Sequence, residues 1–105
     1  MAFKDSTDEK FQDQISGEKL SLIQFSASWC GPCQQLKPII EKISNEKADK
    51  IDCYYHDIES QPNEPTKHSV RGVPTILLFK SGKLLGTKVV ASSEKDMLEF
   101  ITPHI

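Results

Sequence analysis

Apolar residues crowd both alternating faces of the stretch 20–27, where Leu20, Leu22, Ile23, Phe25 and Ala27 leave Gln24 as the exception with a large polar side chain, beside the small Ser21 and Ser26. A strand that is apolar on both faces belongs inside a sheet. Further on, Leu36, Ile39, Ile40 and Ile43 recur at spacings of three and four. That is the period of a helix face and predicts a helix over 34–47. Pro38 falls inside it and is expected to kink it, because the ring blocks a backbone bond one turn back. A second strand is predicted over 51–58 and a third over 75–80. Between them, the prolines and Asn63 of 61–65 mark a turn into a short helix reaching His68, followed by a loop over 70–74. Ser81-Gly82 is a hairpin signal, so a fourth strand over 84–91 runs antiparallel to the third.

The two ends are shorter pieces. Residues 1–5 read as a brief edge strand. Ser6 or Thr7 can cap a first helix, whose apolar edge is Phe11 and Ile15 and whose stop is Gly17. Ser92 or Ser93 can cap a last helix with Glu94 and Asp96 early in it and Met97, Leu98 and Ile101 as its apolar face. Pro103 is expected to end it. Strand–helix units come first and a hairpin plus helix last. This predicts an α/β fold, a central mixed sheet flanked by helices on both faces. With no repeat, linker or low-complexity segment, the chain reads as a single domain over 1–105.

Composition narrows the function classes. The 105 residues are 37% hydrophobic and 27% charged, ordinary globular material with a formal net charge of −2. No basic run or basic–aromatic interleaving supports nucleic-acid binding. The apolar stretches are far too short for a membrane span. The first twenty residues are mostly polar and show no signal-peptide pattern. Together with the odd count of three cysteines, this leads us to expect a reducing compartment, the cytoplasm.

The chemistry concentrates in Trp29-Cys30-Gly31-Pro32-Cys33, at the junction of the first long strand and the helix after it. Two thiols so spaced can close a disulfide or both stay free. Cys30 is expected at the helix mouth, where orphan N–H groups and the helix dipole favour a thiolate and lower a thiol pKa from its usual ~8.5. Cys33, one turn in, is expected to be more buried and to stay protonated longer. One sulfur can then attack a substrate disulfide and the other resolve the mixed disulfide. Pro32 suits the first helical turn, Gly31 leaves the nucleophile uncovered, and Trp29 offers a flat apolar surface beside an exposed sulfur. Half a zinc site is the competing reading. It needs two more ligands, and Cys53, His56, His68 and His104 supply neither a second Cys-x-x-Cys nor a closely spaced histidine pair. A purely structural disulfide fits poorly with a chain lacking export features. Cys53 is expected to be a small buried apolar group, and His56 and His68 to be surface or satisfied histidines.

The sequence resembles the thioredoxin family over nearly its whole length. The resemblance rests on Phe25-Ser26-Ala27-Ser28-Trp29-Cys30-Gly31-Pro32-Cys33, on Pro38, on Val70-Arg71-Gly72-Val73-Pro74-Thr75, and on Leu78-Phe79-Lys80-Ser81-Gly82. It implies the thioredoxin fold and a protein-disulfide reductase serving electron transport and cell redox homeostasis. It implies Cys30 as nucleophile and Cys33 as resolving thiol. Pro74 would follow a cis peptide bond and face the two sulfurs, while Val73 offers its backbone to an extended client segment. Trp29, Gly31, Pro32, Val73, Pro74 and Val90 are the implied substrate-binding residues. The implied cofactor is none beyond the Cys30–Cys33 pair, and no metal is implied. The implied partners are disulfide-bearing client proteins and a thioredoxin-reductase-type electron donor, the chain itself acting as a monomer.

Four positions depart from the family pattern, and three of them matter most. Gln24 stands where a buried aspartate is usual, and Tyr55 where its lysine partner is usual. Both members of the pair are replaced, and these two residues are expected to tune the reaction. Val90 stands where a glycine usually borders the substrate groove. Ser26 also replaces a frequent tryptophan. The departures motivate a first alternative, a specialised member with a narrow client range or a different reductase. A second is a redox-inactive peptide-binding module in which the thiols are incidental.

Overall fold

The structure is a computed structural model and describes residues 3–89 and 93–105. Its elements in chain order are β1 (Phe3–Asp5), α1 (Phe11–Ile15), β2 (Leu20–Ser26), α2 (Gly31–Glu46), β3 (Ile51–Asp57), α3 (Asn63–Lys67), β4 (Thr75–Lys80), β5 (Lys83–Lys88) and α4 (Glu94–Ile101), closed by a 3₁₀ turn (Thr102–His104). The sheet has five strands in the order β1-β3-β2-β4-β5. β1, β3 and β2 run parallel, β4 is antiparallel to β2, and β5 is antiparallel to β4. The expected mixed sheet with helices on both faces is therefore present.

Each face of the sheet carries its own core. On one, Leu20 and Leu22 of β2 meet Leu36, Ile40 and Ile43 of α2 and Met97 and Ile101 of α4. On the other, Ile23 and Phe25 meet Phe11 and Ile15 of α1. This is why β2 is apolar on both faces: it is central, and all seven of its residues are buried. Burying one Leu or Ile side chain stabilises the fold by about 1.5–3 kcal/mol, so β2 and α2 together anchor the site between them.

Several expectations shift in detail. α2 begins at Gly31 rather than at 34, so Cys33 lies within it, and it runs on past Pro38 to Glu46. Pro38 is on the exposed side of α2, where water can satisfy the carbonyl that proline leaves without a donor. α4 ends at Ile101, and Pro103 sits in the 3₁₀ turn that follows it. β5 ends at Lys88, short of the predicted strand, and Val90 lies outside the described residues. Neither Ser6 nor Thr7 caps α1, whose N-cap is Lys10 with no side-chain cap bond. Thr7 Oγ1 accepts from Lys10 N at 3.1 Å in the turn before the helix, and Ser6 turns inward to His56. Ser93 is the cap of α4, its side chain accepting from Asp96 N at 3.2 Å. Ser81 and Gly82 both take positive φ, 52° and 81°, as a tight hairpin requires.

Candidate active site

β2 delivers the chain through Ala27 to a short loop, and α2 starts at once. Cys30 is the N-cap of α2 in an extended conformation, φ −88° and ψ 107°. Its carbonyl accepts from Gln34 N at 3.2 Å, and its Sγ accepts from Cys33 N at 3.2 Å. An orphan N–H of the first turn is thus aimed at the sulfur. With the dipole of a 16-residue helix behind it, this environment favours a thiolate at Cys30. Pro32 lies in the first turn, where its missing N–H costs nothing.

Cys30 and Cys33 are joined as a disulfide, with their Cα atoms 5.3 Å apart. Ala27, Ile58 and Val73 pack around the pair. Cys33 is fully buried. Cys30 is only 5% exposed, more covered than a sulfur open to solvent at a helix mouth would be. The cover comes from the loop before β4, where Val73 O lies 3.7 Å from Cys30 Sγ. The Val73–Pro74 bond is cis, as the resemblance implies. Thr75 Oγ1 donates to Gly72 O at 2.6 Å and braces this turn. Trp29, at 67% exposed, stands beside the sulfurs as an open apolar plane, and Gly31 and Pro32 are exposed next to it. Trp29, Gly31 and Pro32 thus form an exposed surface at the disulfide, with Val73 half-buried against it and Cys33 and Pro74 buried. Val90 is not among the described residues.

Gln24 lies directly behind that surface, fully buried. Its Nε2 donates to Ser26 Oγ at 2.8 Å and to Cys33 O at 3.1 Å. Tyr55 is its partner in the β2–β3 register, so the two departures from the family pattern are neighbours. Their polar ends nonetheless diverge. Tyr55 OH accepts from Gln34 Nε2 at 3.1 Å, and Lys37 Nζ sits 4.4 Å from the Tyr55 ring centroid. Gln34 Nε2 also donates to Ala27 O at 3.1 Å, tying Tyr55 to the loop that carries Trp29. Gln34 was not singled out from sequence, and Ser26 only as the replacement of a frequent tryptophan. Their bonds to Gln24 and Tyr55 follow from what the fold sets beside them.

The other candidates stand apart. Burial, reinforced by the neighbouring Asp52 carboxylate, pushes the Cys53 thiol up to about 12, so it stays protonated and inert. His56 is a satisfied histidine, fully buried. Its Nδ1 faces Ser6 Oγ at 2.6 Å and its Nε2 faces Gln61 O at 2.9 Å. Among the described residues, no group of three or more His, Cys, Asp or Glu is placed to hold a metal ion.

Known proteins resemble this arrangement throughout. The thioredoxin family profile matches residues 2–103. A thioredoxin of Acidithiobacillus ferridurans is 42% identical over 100 residues, covering 94% of this chain and 93% of its own length. One from Buchnera aphidicola is 40% identical with the same coverage of both chains. The solved thioredoxin of Malassezia sympodialis superposes with a TM-score of 0.88 at 32% identity, covering 99% of this chain and 90% of its own. With the Cys-x-x-Cys pair at disulfide distance on this fold, the chain belongs to the thioredoxin family of thiol–disulfide oxidoreductases.

Proposed function

We propose that Cys30 is the nucleophile and Cys33 the resolving thiol in the reduction of client-protein disulfides. The observation that carries this is the Cys33 N–H aimed at Cys30 Sγ at the mouth of α2. The Cys30 thiolate attacks one sulfur of the client disulfide, forming a mixed disulfide and releasing a client thiolate. Cys33 then gives up its proton, attacks Cys30 Sγ and releases the second client thiol. The client disulfide is reduced and the Cys30–Cys33 disulfide is formed. Electrons return from a reductase of the thioredoxin-reductase type.

Trp29, Gly31, Pro32, Val73 and Pro74 form the client-binding surface in this reading, with Val73 offering its backbone to an extended segment. Val90 joins them on the resemblance alone. Gln24 and Tyr55 tune the pair. The redox centre needs no added cofactor, and the chain acts as a cytoplasmic, single-domain monomer in cell redox homeostasis. A fully buried amide against Cys33, in place of a titratable group, also supports a member specialised for a narrow client set.

Insulin reduction with dithiothreitol as electron source tests the central reading. Wild type is expected to accelerate it, Cys30→Ser to abolish the acceleration, and Cys33→Ser to accumulate a mixed disulfide. Equal rates for wild type and Cys30→Ser would leave a peptide-binding module as the better description.

A further inference from the structure

The amide of Gln24 is held against the backbone of Cys33 in only one sense. The atom 3.1 Å from Cys33 O is the nitrogen, because a carbonyl oxygen only accepts. The other hydrogen of Nε2 goes to Ser26 Oγ. Both amide hydrogens are used, and a flipped amide would set oxygen against oxygen. That leaves Oε1, buried and without a donor. Such an acceptor is costly, because it has lost water and gained nothing.

In this structure Cys33 is half of a disulfide and has no hydrogen to give. Reduction changes that. The S–S bond takes up two electrons and one proton and becomes a Cys30 thiolate and a Cys33 thiol. The new S–H is a donor in a fully buried place. The side chains packed around the pair, those of Ala27, Ile58 and Val73, offer it no acceptor.

We propose that Gln24 Oε1 accepts the hydrogen that Cys33 acquires on reduction, which makes Gln24 a positioning residue that favours the dithiol over the disulfide. The inference rests on the thiol–disulfide exchange described under Proposed function. The unpaired acceptor raises the free energy of the disulfide form alone, and reduction relieves it. The two bonds made by Nε2 exist in both forms and cancel. A hydrogen bond from the Cys33 thiol to Oε1 would also favour the thiol over the thiolate there, leaving the negative charge to Cys30. Gln24 thus does without titration what the exchange needs: it keeps the two sulfurs unlike.

The test is equilibration of wild type, Gln24→Leu and Ser26→Ala with glutathione buffers at neutral pH, with the dithiol fraction read by alkylation and mass. Gln24→Leu is expected to move the equilibrium about tenfold toward the disulfide, a potential about 30 mV more negative. Ser26→Ala removes a partner of Nε2 but leaves Oε1 as it is, and is expected to stay within about twofold of wild type. A Gln24→Leu equilibrium equal to wild type overturns the assignment. So does an equal displacement by both variants, which would make general loosening the cause. If the wild-type pair does not exchange with glutathione at all, the reaction reading falls as well, so the two failures are distinguishable. Wild type carries a further test that needs no variant to fold. The ¹³C resonance of the Gln24 side-chain carbonyl is expected to move downfield on reduction, as a carbonyl gaining a hydrogen bond does. A resonance that does not move overturns the inference.

Discussion

Asp8 Oδ1 lies 3.3 Å from His56 Nε2, joining the turn before α1 to a fully buried position of β3. The same carboxylate caps α3, accepting from Asn63 N at 3.0 Å and Glu64 N at 2.9 Å. One side chain therefore pins three segments on the face of the sheet away from α2. Partial burial pushes the Asp8 carboxyl up. The Glu64 and Asn63 N–H groups and the His56 ring outweigh it and hold the carboxyl below its ordinary value.

The pH dependence follows from that direction. A depressed folded pKa means the unfolded chain binds the proton more readily, so Asp8 stabilises the fold above its unfolded pKa of ~3.9. The contribution is lost as pH falls through the still lower folded pKa. Asp8→Asn is expected to cost about 1 kcal/mol at neutral pH, the usual scale for a helix cap. The gap from wild type should narrow steadily below about pH 5 and close once both pKa values are passed. Urea melts across acid to neutral pH measure this. A gap independent of pH would assign the cost to packing rather than to charge.

The three thiols are expected to react in a fixed order once the protein is reduced. Cys30, with slight exposure and a backbone N–H aimed at its sulfur, alkylates first. Cys33, fully buried, follows slowly. Cys53, its thiol pushed up to about 12 by burial, stays unlabelled until the chain unfolds. Peptide mapping after brief alkylation, with and without guanidinium, gives the order. Faster labelling of Cys33 than of Cys30 would reverse their roles.

The β4–β5 hairpin offers a prediction independent of the redox site. Ser81 and Gly82 both have positive φ, which an L side chain other than Asn or Asp resists. Gly82→Ala is expected to destabilise by about 1–2 kcal/mol. Ser81→Asn is expected to stabilise by a few tenths of a kcal/mol, since Asn-Gly is the preferred pair in such turns. Denaturation midpoints report both signs, and a stabilising Gly82→Ala would contradict the turn geometry.

What could be read in advance was what repeats locally or sits within one turn. β2 shows its central place because both its faces are apolar, and Cys30, Pro32 and Cys33 show theirs because helix-start chemistry is local. Contacts that join distant segments were not legible. The satisfaction of His56 depends on Ser6 and Asp8, far away in the chain. The cover over Cys30 depends on Val73, placed by a turn before another strand. Tyr55 and Gln24 were paired by resemblance, and the β2–β3 register makes them neighbours. Their polar ends part because Gln34, on the first turns of α2, reaches Tyr55 OH. A glutamine's reach is not written in its own sequence neighbourhood.

Placing a carboxyl behind Cys33 is the most informative substitution. In Gln24→Asp the new group has no exposed surface and faces Cys33 O, which can only accept. Desolvation raises its pKa, and the carbonyl raises it further, because a protonated carboxyl can donate to that oxygen and an ionised one is repelled. Such an acid binds more protons folded than unfolded. Its penalty is absent below the unfolded pKa of ~3.9 and grows as pH rises, until the folded pKa is passed and the penalty levels off. At neutral pH the variant is therefore expected to be less stable than wild type, with the deficit vanishing in acid. The exchange rate is expected to gain a titrating step that wild type lacks, since the amide of Gln24 has no proton to exchange. Paired denaturation and insulin-reduction kinetics over acid to mildly alkaline pH read both effects. Superimposable pH profiles for the two proteins would mean that position 24 is uncoupled from the thiols and serves packing alone.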